Sequence, residues 1–423
     1  MVSLFIINRE VREMIRMKDS YRLYIHICFL SQLFFTYIFT VNLLYQVSVV
    51  KLDPLQLVLV GTVLELTVFL FEIPTGVISD LKSRKLSIII GYFLIGTGFL
   101  LEGLFPYFIT VLLAQVAWGI GYTFTSGSQQ AWIADEIGEE KASLAYMRGA
   151  KAGNLGQLIA IPLSILTGYY MINLPIIMGG VCMIGLAIFL IIFMKENHFK
   201  PIKITERINT LETMKESLGK IIHYSKASFI LRMLFLIALF IGFYSEGFDR
   251  LWLTHLLEMA RITSLPNEQL VLLTGGIQLV IVLVSFAILH FLNKSTIYQD
   301  LRTIYIGLFI GSFSIVVALI GFAVSKYFIG LFICYVLIQV SRKVMYPLED
   351  IWLNKIIPDS STRATFFSVK GQVDAIGQIS GGPVIGYIAT TFTIRTAIIV
   401  SAVILSPVLF LYHILLKKAK GRE

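Results

Sequence analysis

Gly76-Val77-Ile78-Ser79-Asp80-Leu81-Lys82-Ser83-Arg84-Lys85 separates two apolar runs, 55–79 and 86–103. A helix needs about 20 apolar residues to cross a bilayer, and both runs come close to that length. The link between them is too short for anything but a tight reversal, so the two runs read as a membrane hairpin. Its cations, Lys82, Arg84 and Lys85, mark the turn as cytoplasmic. Asp80 falls at the C-terminal end of the first helix, where the helix dipole disfavours an acid. It therefore needs compensation, from Arg84 or from the N-terminus of a neighbouring helix. Gly76, one turn earlier, offers a surface that another helix can approach closely.

The same reading extends outward over the whole chain. Apolar runs occur at 22–46, 55–79, 86–103, 108–130, 147–168 and 174–194, then at 228–249, 269–291, 303–323, 327–348, 366–390 and 395–416. Of the 423 residues 57% are hydrophobic and 14% charged. A water-soluble chain has about 25% charged residues, so this one cannot cover an aqueous surface of its size. With both termini placed in the cytoplasm, the inner segments hold 26 of the 35 Lys and Arg, and the outer loops five: Lys51, Arg250, Arg261, Lys326 and Arg395. That bias orients a multi-pass protein of the cell membrane. It also accounts for the net charge of +9, which in a soluble protein would suggest nucleic acid. No nucleic-acid partner is expected. Cys28, Cys182 and Cys334 lie far apart in apolar runs, and neither a disulfide nor a metal site is expected from them.

The spans fall into two sets of six. Gly156-Gln157 with Pro162 recurs as Gly377-Gln378 with Pro383 at the same spacing, and Trp132 and Trp352 precede them by similar distances. Span five thus corresponds to span eleven, as expected of repeated halves. The expected fold is an all-α integral membrane protein of twelve transmembrane helices in two pseudo-symmetric six-helix bundles. Residues 1–194 form the N-terminal bundle with a short cytoplasmic N-terminus, and 228–423 the C-terminal bundle. Between them, 195–227 is a cytoplasmic linker. Ile208, Leu211, Met214 and Leu218 interleave with its charges as in an amphipathic interfacial helix.

The segment after span two resembles the loop motif of the major facilitator superfamily, Gly-x-x-x-Asp-Arg/Lys-x-Gly-Arg-Arg/Lys. Gly76, Asp80, Arg84 and Lys85 match it, while Leu81 and Ser83 depart. Pro358 to Gly386, with Arg363, Gly377, Gly381 and Pro383, is similar to that superfamily's pattern around spans ten and eleven. The stretches Phe71 to Gly76 and Ser126 to Glu136 resemble its bacterial drug-efflux-like branch of drug:proton antiporters. The resemblance implies alternating access, a cytoplasmic gate at Gly76, Asp80, Arg84 and Lys85, and a working monomer. Two positions depart from the antiport pattern. Gln115 stands where proton-coupled members carry Arg in span four, and Asn154 and Gln157 replace Pro and Gly in span five.

Charges at bilayer depth are costly and normally face a cavity or a partner. Glu65, Glu72 and Gly76 fall on one stripe of span two leading to Asp80. A carboxylate buried without a cation takes up protons readily, and Glu65, nearest the midplane, is the first candidate for proton coupling. Glu72 reads equally as a second carrier or as the partner of Lys370. Asp374, on span eleven, is the third proton-coupling candidate. Glu246, Asp249 and Arg250, at the expected outer end of span seven, read first as mutually neutralising charges and second as an outer gate. Arg342 is expected to face a cavity with Glu349 or Asp350 as partner, and Lys151 to pair there or attract an anion. Gln32, Tyr37, Asn42, Gln278, Gln339 and Gln372, with Gln115, are candidates for the cavity lining, since amides and aromatics suit amphiphilic organic substrates.

The function these features support is secondary active transport, in the form of proton-coupled efflux of lipophilic or amphiphilic, drug-like compounds. Its partners are a small organic substrate, protons and membrane lipid. An importer or uniporter of a small organic solute is the alternative. No GxxxxGK[ST] loop supports direct ATP driving, and no cofactor is expected. A membrane-embedded enzyme is remote, because the six His are dispersed and no HExxH or GxSxG pattern occurs.

Overall fold

The structure, a computed structural model, describes residues 2–199, 219, 228–292, 300–357 and 360–420, with side chains from residue 19 onward apart from 360–365 and 420. All regular structure among these residues is helical. The first seven helices are α1 (Val2–Ser48), α2 (Pro54–Leu81), α3 (Arg84–Leu104), α4 (Phe108–Thr125), α5 (Ser128–Ile137), α6 (Glu139–Tyr170) and α7 (Leu174–Phe193). Then follow α8 (Phe229–Met259), α9 (Asn267–Leu292), α10 (Leu301–Val324), α11 (Phe328–Ile356), α12 (Ser360–Thr391) and α13 (Ile394–Lys420). The short α5 continues α4 past a turn at Gly127, so the thirteen helices make twelve crossings. The interfacial helix expected in the linker lies outside the described residues.

Among the described residues, ten segments are long and apolar enough to cross a membrane on those grounds alone. Large apolar side chains on them point outward, as in Phe291 at 70% exposure and Ile192 at 67%. Water would penalise that surface; lipid does not. The two crossings outside the ten are α6 and α12, each 32 residues long. These are the helices that carry the repeated Gly-Gln…Pro pattern. Their glycines do the same work in each half. A Cβ on Gly156 would sit 2.5 Å from the Phe29 carbonyl oxygen of α1, and one on Gly377 would sit 2.5 Å from the Leu239 carbonyl oxygen of α8. Small residues let membrane helices meet backbone to backbone, and apolarity is traded for that closeness. Trp132 and Trp352 are both fully buried.

By internal contacts the chain forms two compact units: Met1–Tyr45 with Leu70–Thr210, and Gln46–Phe69 with Leu211–Glu423. The division follows the linker but assigns the first half of α2 to the second unit. In the first unit α3 is central, packing on α4 and α7. Its start is fixed by Ser83, whose hydroxyl accepts the Leu86 amide at 3.0 Å. In the second unit α8 lies against α12 and α13, and α10 against α11 and α13.

Helix α8 corrects a boundary. Its charged stretch, expected to end the span near Asp249, is followed by nine more helical residues. Glu246 neutralises Arg250 one turn along at 2.9 Å, so the helix continues, burying Leu251, Leu253 and Leu256. Arg250 therefore lies on a helix and not in a loop. At about 1.5 Å per residue it lies about 14 Å from the helix end.

Candidate functional site

A cavity of about 330 Å³ opens inside the second unit. Five helices build it: α8 contributes Tyr244, Ser245 and Asp249, α10 Ser312 and Ile315, α11 Arg342, Tyr346 and Glu349, α12 Lys370, Asp374 and Gln378, and α13 Leu405. Five of these residues are charged. Arg342 donates from Nη1 to Asp249 and from Nε to the Tyr244 hydroxyl at 2.9 Å, with its guanidinium 5.0 Å from the Tyr244 ring centre. Lys370 donates from Nζ to Glu349 at 2.6 Å. Asp374 accepts from the Gln378 amide at 2.8 Å. The volume lies at the lower end of the range for small-molecule sites, about 300–1,000 Å³.

Two expected pairings are thereby replaced. Arg342 bonds Asp249 and not Glu349 or Asp350, because Glu349 is two turns up the same helix whereas Asp249 faces Arg342 from α8. Lys370 bonds Glu349 and not Glu72. Glu72 belongs to the first unit, and its side chain is exposed there.

Gly61 of α2 faces the Glu246–Arg250 pair so closely that a Cβ there would fall 1.3 Å from the Glu246 carboxylate. Arg250 feels the charges of Glu246, Asp249 and Glu65 together. Glu65 is thus electrostatically tied to the cluster expected at the outer end of span seven.

In the first unit the motif residues form a charged cluster. Arg84 bridges Asp135 at 3.0 Å and Asp80 at 3.8 Å. Glu196, just beyond α7, accepts the Arg84 and Lys85 backbone amides at 2.7 and 3.1 Å and the Ser83 hydroxyl at 2.5 Å. An acid at this helix start matches its dipole. The Lys85 ammonium reaches the Ile191 carbonyl at 3.1 Å. Among the described residues, a Cβ at Gly76 would meet no atom within 4 Å.

Sequence reasoning passed over Glu102, which is fully buried on α3. Asn42 and Gln115, expected in the cavity lining, donate to its two carboxylate oxygens at 2.8 and 3.4 Å, and the Tyr45 hydroxyl donates to its backbone carbonyl. The signal was an acid inside an apolar run, masked by its place near the run's end. Replacing Glu102 with Leu leaves two buried amides short of an acceptor, about 1–3 kcal/mol each. Glu102→Leu is expected to lower the thermal unfolding midpoint markedly, and Glu102→Gln, which keeps one acceptor oxygen, much less.

The other lining candidates scatter. Tyr37 shares a hydrogen bond with Thr167 at 2.8 Å, tying α1 to α6, and Gln32 donates to Thr36 within α1. Gln339 is half-buried. Lys151 is exposed, and Gln278 and Gln372 are half-buried. Among the described residues none of these six lines the 330 Å³ cavity. Tyr244, Tyr346 and Ser312 line it, and no pattern on a single helix singles them out.

A sequence profile of the Major Facilitator Superfamily matches residues 25–313. The chain belongs to this superfamily. It is 27% identical over 382 residues to YxaM of Bacillus subtilis (strain 168), described as an uncharacterised MFS-type transporter, covering 86% of this chain and 88% of that one. Its fold is similar to crystal structures of the nucleoside transporter NupG (TM-score 0.71, 14% identity, 93% of this chain and 98% of that one). It is similar also to the inward-facing, unoccupied bacterial homologue of the human lysosomal transporter Spinster (TM-score 0.71, 15% identity, 96% and 97%). A sulfate complex of the peptide transporter POT gives a TM-score of 0.70 at 14% identity over 95% and 94%. The superfamily member described here is a multi-pass membrane transporter of the secondary type and not an enzyme.

Proposed function

We propose that the protein is a proton-coupled exporter of amphiphilic organic compounds, resident in the cell membrane with both termini cytoplasmic and working as a monomer. The two halves, joined in sequence by 195–227, alternate access to a solute site, with Gly76, Asp80, Arg84 and Lys85 as the inner gate and Glu246, Asp249 and Arg250 as the outer one. The observation that carries this reading is the charged cavity of the second unit. There two carboxylates bond cations, and the third, Asp374, bonds an amide. A carboxylate without a bonded cation exchanges its proton at least cost. Asp374 is therefore the first candidate carrier. Glu65, within reach of Arg250's charge, comes second and Glu72 third.

The test is flux into inverted vesicles across a panel of amphiphilic solutes with an imposed pH gradient. Wild type is expected to accumulate substrate several-fold above the level without a gradient. Asp374→Asn is expected to reduce accumulation to that level. If flux ignores the gradient and both Asp374→Asn and Glu65→Gln transport as wild type does, proton coupling is wrong. Gln115, bonded to Glu102 where coupled members carry Arg, favours gradient-independent import or uniport as the second reading.

A further inference from the structure

The cavity of the second unit carries two unfinished hydrogen-bonding groups of opposite kind. Arg342 spends Nη1 on Asp249 and Nε on Tyr244, yet its Nη2 is buried and has no acceptor among the described residues. The side chain lines the cavity and is only 10% exposed, and a buried donor of this kind calls for an acceptor. Asp374 is the converse, a carboxylate with an amide donor and, among the described residues, no bonded cation. The formal charge agrees. Asp249, Glu349 and Asp374 face Arg342 and Lys370, and the two ion pairs leave one negative charge, on Asp374. The lining also includes the apolar side chains of Ile241, Met345 and Phe367.

We infer that this cavity recognises a protonated primary or secondary amine that also carries an acceptor oxygen, joined by a short apolar body. The ammonium donates to Asp374 and cancels its charge. The oxygen accepts from Arg342 Nη2, which completes the guanidinium. Arg342 is already neutralised by Asp249, so the oxygen is best a carbonyl or hydroxyl; a full carboxylate would leave the filled cavity negative. A quaternary cation lacks the N–H that Asp374 would bind, and a plain alkylamine leaves Nη2 orphaned. This assignment rests on the transport reading above and deepens it: a proton and an ammonium competing for Asp374 give the exchange that coupled export requires.

The test is binding to the full-length protein in lipid nanodiscs, by calorimetry. The probes are ω-aminoalkanamides of graded length, the matching alkylamines and alkanamides, and tetraphenylphosphonium. The best aminoalkanamide is expected to bind about tenfold or more tighter than either single-ended analogue, the size of one charge-assisted hydrogen bond. Asp374→Asn is expected to reduce it to the level of the alkanamide. Arg342→Lys, which keeps a cation for Asp249, is expected to reduce it to that of the alkylamine. Should either variant fail to fold, selectivity in the wild type decides. Equal or tighter binding of alkylamine or tetraphenylphosphonium, or binding of no probe at all, overturns the assignment. Binding of the aminoalkanamide without gradient-driven flux overturns the coupled-export reading and leaves this one standing. Gradient-driven flux of another solute class does the reverse.

Discussion

Gly242→Ala is expected to abolish transport and most of the folded yield, while Gly371→Ala on the facing helix folds like the parent. The two glycines differ in what their missing side chains would meet. A Cβ at Gly242 lies 2.1 Å from the Asp374 carbonyl oxygen and 3.1 Å from the Gln378 amide nitrogen, both backbone atoms of α12. No side chain can rotate out of the way. Ordinary contact begins near 3.4 Å, so α8 and α12 must part by about 1 Å. Overpacking of this kind costs about 1–3 kcal/mol and sometimes more.

The loss of function is expected to exceed the loss of stability. Helix α8 carries Tyr244 and Asp249, and α12 carries Lys370, Asp374 and Gln378, so separating them displaces one wall of the charged cavity from another. A Cβ at Gly371 would meet no atom of the described residues within 4 Å, and an alanine there gains about 0.5–1 kcal/mol of helix propensity. Monodispersity and the unfolding midpoint, compared for the two variants in one detergent, check the contrast. A Gly242→Ala protein with the parent's midpoint would refute the backbone-contact argument.

The same contact explains what could be read from the chain and what could not. Crossings were legible because apolar length is a property of one helix, and the repeat because Gly156 and Gly377 sit in matching local patterns. Both features survive projection onto a line. Partnerships between helices do not. Arg342 was visible as a buried cation, but its spacing to Glu349 on α11 said nothing of Asp249 on α8. Lys370 likewise turned to Glu349 of α11. Arg250 was placed in a loop because three charges in five residues resemble the end of a span; only the Glu246–Arg250 bond shows how the helix absorbs them. Asn42 and Gln115 both donate to Glu102, a partnership that none of their three helices shows by itself.

Lys370 sets the second large effect. Its pair with Glu349 is mostly enclosed, with side-chain exposures of 19% and 8%. Removing one member of a buried pair costs about 3–5 kcal/mol, chiefly by stranding the other charge, whereas removing both can be close to neutral. The two single variants are not expected to be equivalent. Lys370 also feels Asp350 and Asp374, so in Glu349→Gln its ammonium keeps acidic neighbours. In Lys370→Met, Glu349 loses its bonded cation and the cavity is left with three carboxylates against Arg342 alone. Unfolding midpoints are therefore expected to fall in the order wild type, Glu349→Gln, Lys370→Met, with the double variant recovering most of the loss of Lys370→Met. Equal losses in the two single variants would mean that Asp350 and Asp374 give Lys370 no support. A double variant as damaged as Lys370→Met would mean that the lysine's packing, and not its charge, holds α12 against α11.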